Sequence, residues 1–151
     1  MSLVKVCSML LFILLAGWGA PKVDAATLTD NGNGTVTDSK TGLVWQQGEG
    51  GSMTSWDNAL TYCEGLSLGG QNDWRLPNIK ELKSLIDYAR YSPAIDQTYF
   101  PNAVVSYYWS STTYAYGTRG AWGVYFFDGS VDNEYKDNST SNYVRCVRGG
   151  K

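Results

Sequence analysis

Hydrophobic and polar positions change their period along this chain, and each change marks an element. After an apolar run from Val6 to Gly19, the stretch Thr27 to Gln46 alternates in short pieces, Thr35-Val36-Thr37 and then Leu43-Val44-Trp45. The clusters Asp30-Asn31-Gly32-Asn33-Gly34 and Lys40-Thr41-Gly42 punctuate it, which predicts short strands around tight turns. Gly48 to Ser52 is small and polar, a loop. The period then lengthens. Trp56, Ala59, Leu60, Cys63 and Leu66 recur at helical spacing, with Thr54 as N-cap, Asp57 three residues on and Gly69-Gly70 as the stop.

The second helix has the sharpest boundary. Asp73-Trp74-Arg75-Leu76 is extended, because Pro77 biases the residue before it away from helical backbone. Asn78 is then a strong N-cap, and Glu81 sits where it closes a capping box. Ile79, Leu82, Leu85 and Ile86 supply one apolar stripe, predicting a helix from Ile79 to about Tyr88. Trp74 and Leu76 are expected in the core, with Arg75 pinning the helix entry.

Past Ser92-Pro93 the pattern returns to alternation. Strands are predicted at Tyr107 to Thr112, Ala121 to Phe127, Val131 to Tyr135 and Tyr143 to Arg148. Asp128-Gly129 between apolar strands is the strongest hairpin signal in the chain. Two helices packed on short antiparallel strands make this an α+β fold.

Composition changes the picture at both ends. Met1 to Lys5 is a short positive segment, the apolar run behind it is short for a membrane span, and Val23-Asp24-Ala25 carries small residues suited to signal-peptidase cleavage. Residues 1–25 are therefore expected to be a signal peptide, with no stable membrane insertion after cleavage. The product is periplasmic, extracellular or on the cell surface. The remaining 126 of 151 residues, 26–151, make one domain by length. Losing Lys5, Lys22 and Asp24 moves the net charge from −2 to −3, and no basic run exists, so nucleic acid is not an expected partner. Only Cys63 and Cys146 survive cleavage. A disulfide is the default for an even pair in an exported chain, two free thiols or a metal pair being the alternatives.

Four patches, in order, carry a family resemblance. They are Gly42-Leu43-Val44-Trp45-Gln46, then Trp56…Ala59…Cys63, then Trp74-Arg75-Leu76-Pro77…Glu81-Leu82, and last Tyr108-Trp109-Ser110-Ser111…Ala121-Trp122…Val144-Arg145-Cys146-Val147-Arg148. Together they resemble the Lcl C-terminal domain family, a bacterial exported module named after a collagen-like adhesin, over about Asp30 to Gly149. That family looks related to the C-type-lectin-like superfamily. The resemblance implies a C-type-lectin-like fold and a disulfide tying the first helix to the terminal strand. The superfamily's oxidative enzymes need reactive cysteines with copper, or an iron site built from histidines. This chain has no histidine, so their catalytic residues have nothing here to be carried onto. Its calcium-dependent sugar binders use Glu-Pro-Asn or Gln-Pro-Asp with Trp-Asn-Asp, and none of these occurs.

Other chemistry is thin. Asp30, Asn31, Asn33 and Asp38 miss the EF-hand spacing and read as a glycine-rich turn. Asp128 and Asp132 flank a hairpin, where solvated acids are ordinary rather than a glycosidase pair. A Ser-His-Asp triad is excluded by the missing histidine. No enzyme, metal or cofactor is expected. What remains is the tail, which holds ten of the eleven tyrosines from Tyr88 onward. Alternation turns Trp122, Val124 and Phe126 inward and Tyr125 and Phe127 outward, beside Tyr114, Tyr116 and Arg119 on a loop and Asp132, Glu134 and Tyr135 on the returning strand. Tyrosine with small polar residues is the vocabulary of binding loops, although tyrosines also simply cover sheets. The eight residues predict a non-catalytic recognition or adhesion module for a glycan or protein ligand. The other class is a structural or homo-oligomerising envelope protein without a small ligand.

Overall fold

In the computed structural model, residues 28–137 and 141–150 are described, so the predicted leader and its cleavage point lie outside them. The alternating N-terminal stretch folds as a meander of β1 (Leu28–Asp30), β2 (Thr35–Asp38) and β3 (Leu43–Gln46). The Asp30 carboxylate accepts the Gly32 N–H at 2.8 Å, and Gly34 takes a positive φ of 82°, which closes the turn expected there. β9 (Val147–Gly149) pairs antiparallel with β3, giving the sheet order β1-β2-β3-β9. A second sheet runs β4-β8-β5-β6-β7, from β4 (Ser52–Met53), β5 (Tyr107–Thr113), β6 (Gly120–Tyr125), β7 (Ser130–Tyr135) and β8 (Asn142–Tyr143). Its pairings are antiparallel except β5 with β8.

The first helix, α1, spans Trp56–Glu64, and its N-cap is Ser55 rather than Thr54. The Lys136 carbonyl accepts the Trp56 N–H at 2.8 Å and fixes where the helix starts, so Thr54 binds the Asn58 side chain instead. The helix stops at Gly65, short of Gly69-Gly70. Those two glycines, both at positive φ, make a tight reversal between Leu68 and Gln71, which bond to each other in both directions. The second helix, α2, spans only Ile79–Lys83 and does not reach Tyr88. Beyond it Ile86 pairs with Ile95, and the Asp87 N–H donates to the Ala94 carbonyl, so long-range pairing outcompetes the helical pattern.

The start of α2 agrees with the sequence in detail. Asn78 accepts from Lys80 and Glu81 N–H groups, and Glu81 accepts the Asn78 N–H, a complete capping box. Glu81 also takes Arg75 in two parallel bonds of 2.8 Å. Burial alone would raise the Glu81 carboxyl, but the Arg75 guanidinium and the Asn78 N–H outweigh it and hold it below the usual glutamate range. This clasp therefore stabilises the fold above the ordinary glutamate range and is lost as pH falls through the lowered value. Arg75 pairs its backbone with Val147 as well, which hooks the segment onto β9.

Trp74 and Leu76 are buried, and the Trp74 indole N–H reaches the Leu68 and Gln71 carbonyls at 3.2 Å. Truncating a buried tryptophan costs about 3–5 kcal/mol. Trp74→Ala is expected to lower stability by that much in urea melts; a midpoint within a degree or a few tenths molar of the parent would remove the segment from the core.

The predicted strand from Tyr143 to Arg148 is two strands. Tyr143 pairs with Tyr108 of the second sheet, and Val147 with Trp45 of the first, so Val144 to Cys146 cross between sheets. Cys146 is bonded there to Cys63 of α1, which meets the cysteine expectation. Arg145, fully buried, donates to the Gln46 and Gln47 carbonyls and to the Glu49 carboxylate, with its guanidinium over the Phe100 ring at 4.6 Å. Burial pushes the Glu49 carboxyl up, more than Arg145 draws it down. One core groups Trp45, Leu82, Phe100, Tyr108, Val124 and Phe126; the other surrounds the disulfide with Ala59, Trp74, Leu76, Trp109, Ala121 and Val144.

Candidate functional site

The tail hairpin decides where the eight predicted ligand residues lie. Its register pairs Gly120 with Tyr135, Trp122 with Asn133 and Val124 with Val131, and between them Ala121 with Glu134, Gly123 with Asp132 and Tyr125 with Ser130. Paired residues share a face and successive residues alternate. Tyr135 therefore lies on one face, and Tyr125, Asp132 and Glu134 on the other. The predicted single site is divided between two surfaces.

The first surface is concave. β5 takes four steps from Trp109 to Thr113 while β6 takes two, from Gly123 to Ala121. The bulge is locked by Ser110, whose hydroxyl donates to the Trp122 carbonyl at 2.6 Å, and by Trp56, whose indole N–H donates to the Ser110 carbonyl at 2.7 Å. It delivers Tyr114 into a loop that folds back on itself, Tyr114 N–H to Gly120 carbonyl and Gly120 N–H to Gly117 carbonyl. The resulting depression, of about 490 Å³, is lined by Tyr114, Gly117, Thr118, Arg119, Gly120, Asn133 and Tyr135. A β-carbon on Gly120 would stand 3.3 Å from Tyr114 and 3.4 Å from Asn133, so glycine keeps the floor low. Tyr135, which lines it, is 67% exposed, and Tyr116, 93% exposed, lies outside the lining with its ring 5.8 Å from that of Tyr114.

Trp122 corrects the sequence reading. Val124 and Phe126 are buried as expected, but Trp122 is only half-buried, and Ala121 takes the core place on the other face. Val124 and Phe126 belong to one core and Ala121 to the other, and Trp122 lies in neither. Its ring stands edge-on to Tyr114 at 5.2 Å, on the face it shares with Asn133 and Tyr135.

Charge distinguishes this surface. Arg75, Arg90, Arg145 and Arg148 each meet a carboxylate. Among the described residues, no carboxylate pairs with Arg119. Arg119 lines the depression, and no side-chain hydrogen bond from its guanidinium is found among the described residues.

The second surface is a ladder of rings. Tyr107 stacks on Tyr125 at 4.6 Å and 16°, Tyr125 on Phe127 at 5.6 Å and 26°, and Tyr91 meets the edge of Phe127 at 4.2 Å. Tyr125 and Phe127 are half-buried, matching their expected partial exposure. Rings stacked face to face hide their faces in one another and turn edges and hydroxyls to solvent. Burial raises the Tyr107 phenol, and the negative charges of Asp132 and Glu134 raise it further.

A family comparison bears on all of this: the family model for the Lcl C-terminal domain matches residues 34–148. The chain belongs to the Lcl C-terminal domain family. A search of curated proteins finds no match. The match in this Lcl C-terminal domain covers β8, all of β9 but its last residue, both cysteines and the whole hairpin.

Sequence reasoning missed Gly117, Thr118, Gly120 and Asn133. Asn133 was within reach, because it alternates with Asp132 and Glu134 and so shares the face of Tyr135. A smaller hollow of about 250 Å³ between α2 and β3 is lined by Thr41, Leu43, Lys80, Glu81, Ser84 and Gly150. Its carboxylate, Glu81, is already committed to Arg75. No helix among the described residues is long and apolar enough to cross a membrane.

Proposed function

We propose that this Lcl C-terminal domain is an exported, non-catalytic recognition module of C-type-lectin-like type, binding a glycan in the depression lined by Tyr114, Arg119, Asn133 and Tyr135, with Tyr116 next to Tyr114. The observation that carries the reading is the exposed ring of Tyr135 in the depression, with exposed Tyr116 against Tyr114, beside an amide and a guanidinium that meets no carboxylate among the described residues. Sugars offer C–H faces that lie on aromatic rings and hydroxyls that pair with fork-like donors and amides, and this surface supplies both kinds of partner. Tyrosine adds large contact area at low entropy cost. The ladder is the weaker candidate, because its stacked faces are already occupied by each other. The link from α1 to the crossing that leads into the last strand, β9, through Cys63 and Cys146 supports the lectin-like assignment.

The test is a glycan array followed by calorimetry on the refolded 26–151 chain. Tyr116→Ala with Tyr135→Ala is expected to cost 2 kcal/mol or more, roughly thirtyfold in affinity. Both residues are exposed, so the melting temperature stays within about a degree. Tyr125→Ala, on the ladder, should leave affinity within about twofold. Glycan binding that survives the first pair and is lost with Tyr125→Ala would move the site to the other face. A protein ligand captured at Tyr116 with no glycan on the array would keep the site and overturn the ligand class.

A further inference from the structure

The turn between β1 and β2 holds two asparagine–glycine pairs in succession, Asn31-Gly32 and Asn33-Gly34. A glycine after asparagine leaves its main-chain nitrogen open to the asparagine side chain, because no β-carbon stands in the way. The two pairs are alike in sequence, and the fold holds them in opposite ways. Asn31 is tied at its reacting atoms. Its amide nitrogen donates to the Thr35 hydroxyl at 2.8 Å and to the Thr37 hydroxyl at 2.9 Å. The Gly32 N–H is spent on the Asp30 carboxylate at 2.8 Å.

Asn33 is the reverse. Among the described residues, neither its side-chain nitrogen nor the Gly34 N–H makes a hydrogen bond. Its side-chain oxygen accepts the Thr35 hydroxyl at 2.7 Å, against 3.2 Å from Thr37 to the Asn31 oxygen. That donor sits where negative charge gathers when the side-chain carbonyl is attacked. The Gly34 carbonyl accepts the Gln47 N–H at 2.9 Å, so the glycine is anchored while its own amide stays open. Thr35 is buried and Asn33 is exposed, which sets the donor firmly and lets water reach the reacting carbon.

We propose that Asn33 is a self-deamidation site, at which the Gly34 nitrogen attacks the Asn33 side-chain carbonyl carbon while the Thr35 hydroxyl polarises it. The bond from the Gly34 nitrogen to Cγ forms as the Gly34 proton leaves to solvent. The Cγ–Nδ2 bond breaks, and Nδ2 takes a proton from solvent and departs as ammonia. Water then opens the cyclic imide at either carbonyl, leaving aspartate or isoaspartate at this position, with no change of oxidation state. The product places a second negative charge in the turn that already holds Asp30. The turn belongs to the first sheet and the depression to the second, so this site is independent of the glycan proposal.

The probe is heavy-oxygen water. The protein, disulfide intact, is held in warm, mildly alkaline buffer made with it, and each conversion takes up a labelled oxygen that peptide fragmentation assigns to Asn31 or Asn33. In the folded protein Asn33 is expected to convert at least about tenfold faster than Asn31. Unfolded in urea with the disulfide reduced, the two should convert at similar rates, since they then differ in nothing but place. Thr35→Val should slow Asn33 about fivefold, the rate equivalent of one neutral hydrogen bond, and Thr35→Ser should restore it. Conversion of Asn31 as fast as Asn33 in the folded protein, or a Thr35→Val rate at Asn33 equal to or above the parent's, overturns the proposal. So does a folded protein that gains no label while the unfolded chain converts fully.

Discussion

Replacing Arg145 with methionine is expected to cost this domain about 3–5 kcal/mol, the range for removing one partner of a buried charge pair. The side chain is fully buried and touches what no apolar residue would satisfy, the carbonyls of Gln46 and Gln47 and the carboxylate of Glu49. Methionine fills much of the volume, so the loss is mainly one of unmet polar groups rather than a cavity. Glu49 feels it directly. Burial already raises its carboxyl, and without the guanidinium it shifts further toward the neutral acid. Urea unfolding of Arg145→Met, Glu49→Gln and the double variant would measure the coupling. The double variant should recover part of the loss but not all, because the two carbonyls remain unmet. A single-variant cost below about 1 kcal/mol would mean that water or rearrangement replaces Arg145 at no great penalty.

The second large effect belongs to the disulfide. Cys63 and Cys146 are 83 residues apart, and cross-linking so long a loop removes roughly 4–5 kcal/mol of freedom from the unfolded chain in the chain-entropy picture. Both sulfurs are fully buried in the core that holds Trp74 and Trp109. Cys63→Ala with Cys146→Ala is expected to shift the urea midpoint by an amount matching that loss, and the oxidised parent should be two hydrogens lighter than the reduced chain by intact mass. Retention of the parent midpoint would show that the core alone carries the domain.

What the sequence revealed, and what it hid, follows the distance over which each feature is decided. The Asn78–Glu81 capping box was legible because four consecutive residues settle it. The end of α2 was not, since Ile86 and Asp87 leave the helix for partners at Ile95 and Ala94. The Ser55 cap was hidden for the same reason, the deciding carbonyl being that of Lys136. Alternation correctly buried Val124 and Phe126, yet could not say that Trp122 falls outside both cores. In the candidate site the aromatic tail itself was plain from composition. Its division came from the register of β6 on β7, which sets Asp132 and Glu134 on the face of Tyr125 and leaves Tyr135 with Asn133.

The crossing at Val144 to Cys146 has a bearing on the order in which this molecule can be assembled. β9 is the partner that covers one side of β3, and β8 joins β4 to β5 in the other sheet. Both lie at the far end of the chain, one on either side of Arg145. A chain emerging N-terminus first has its helices, its turns and its tail hairpin before either sheet has all its neighbours. Until residues 142–149 arrive, β3 and β5 each present an open edge and Cys63 has no mate. Both sheets thus wait on the same eight residues, 142–149, which act on the described molecule as a drawstring.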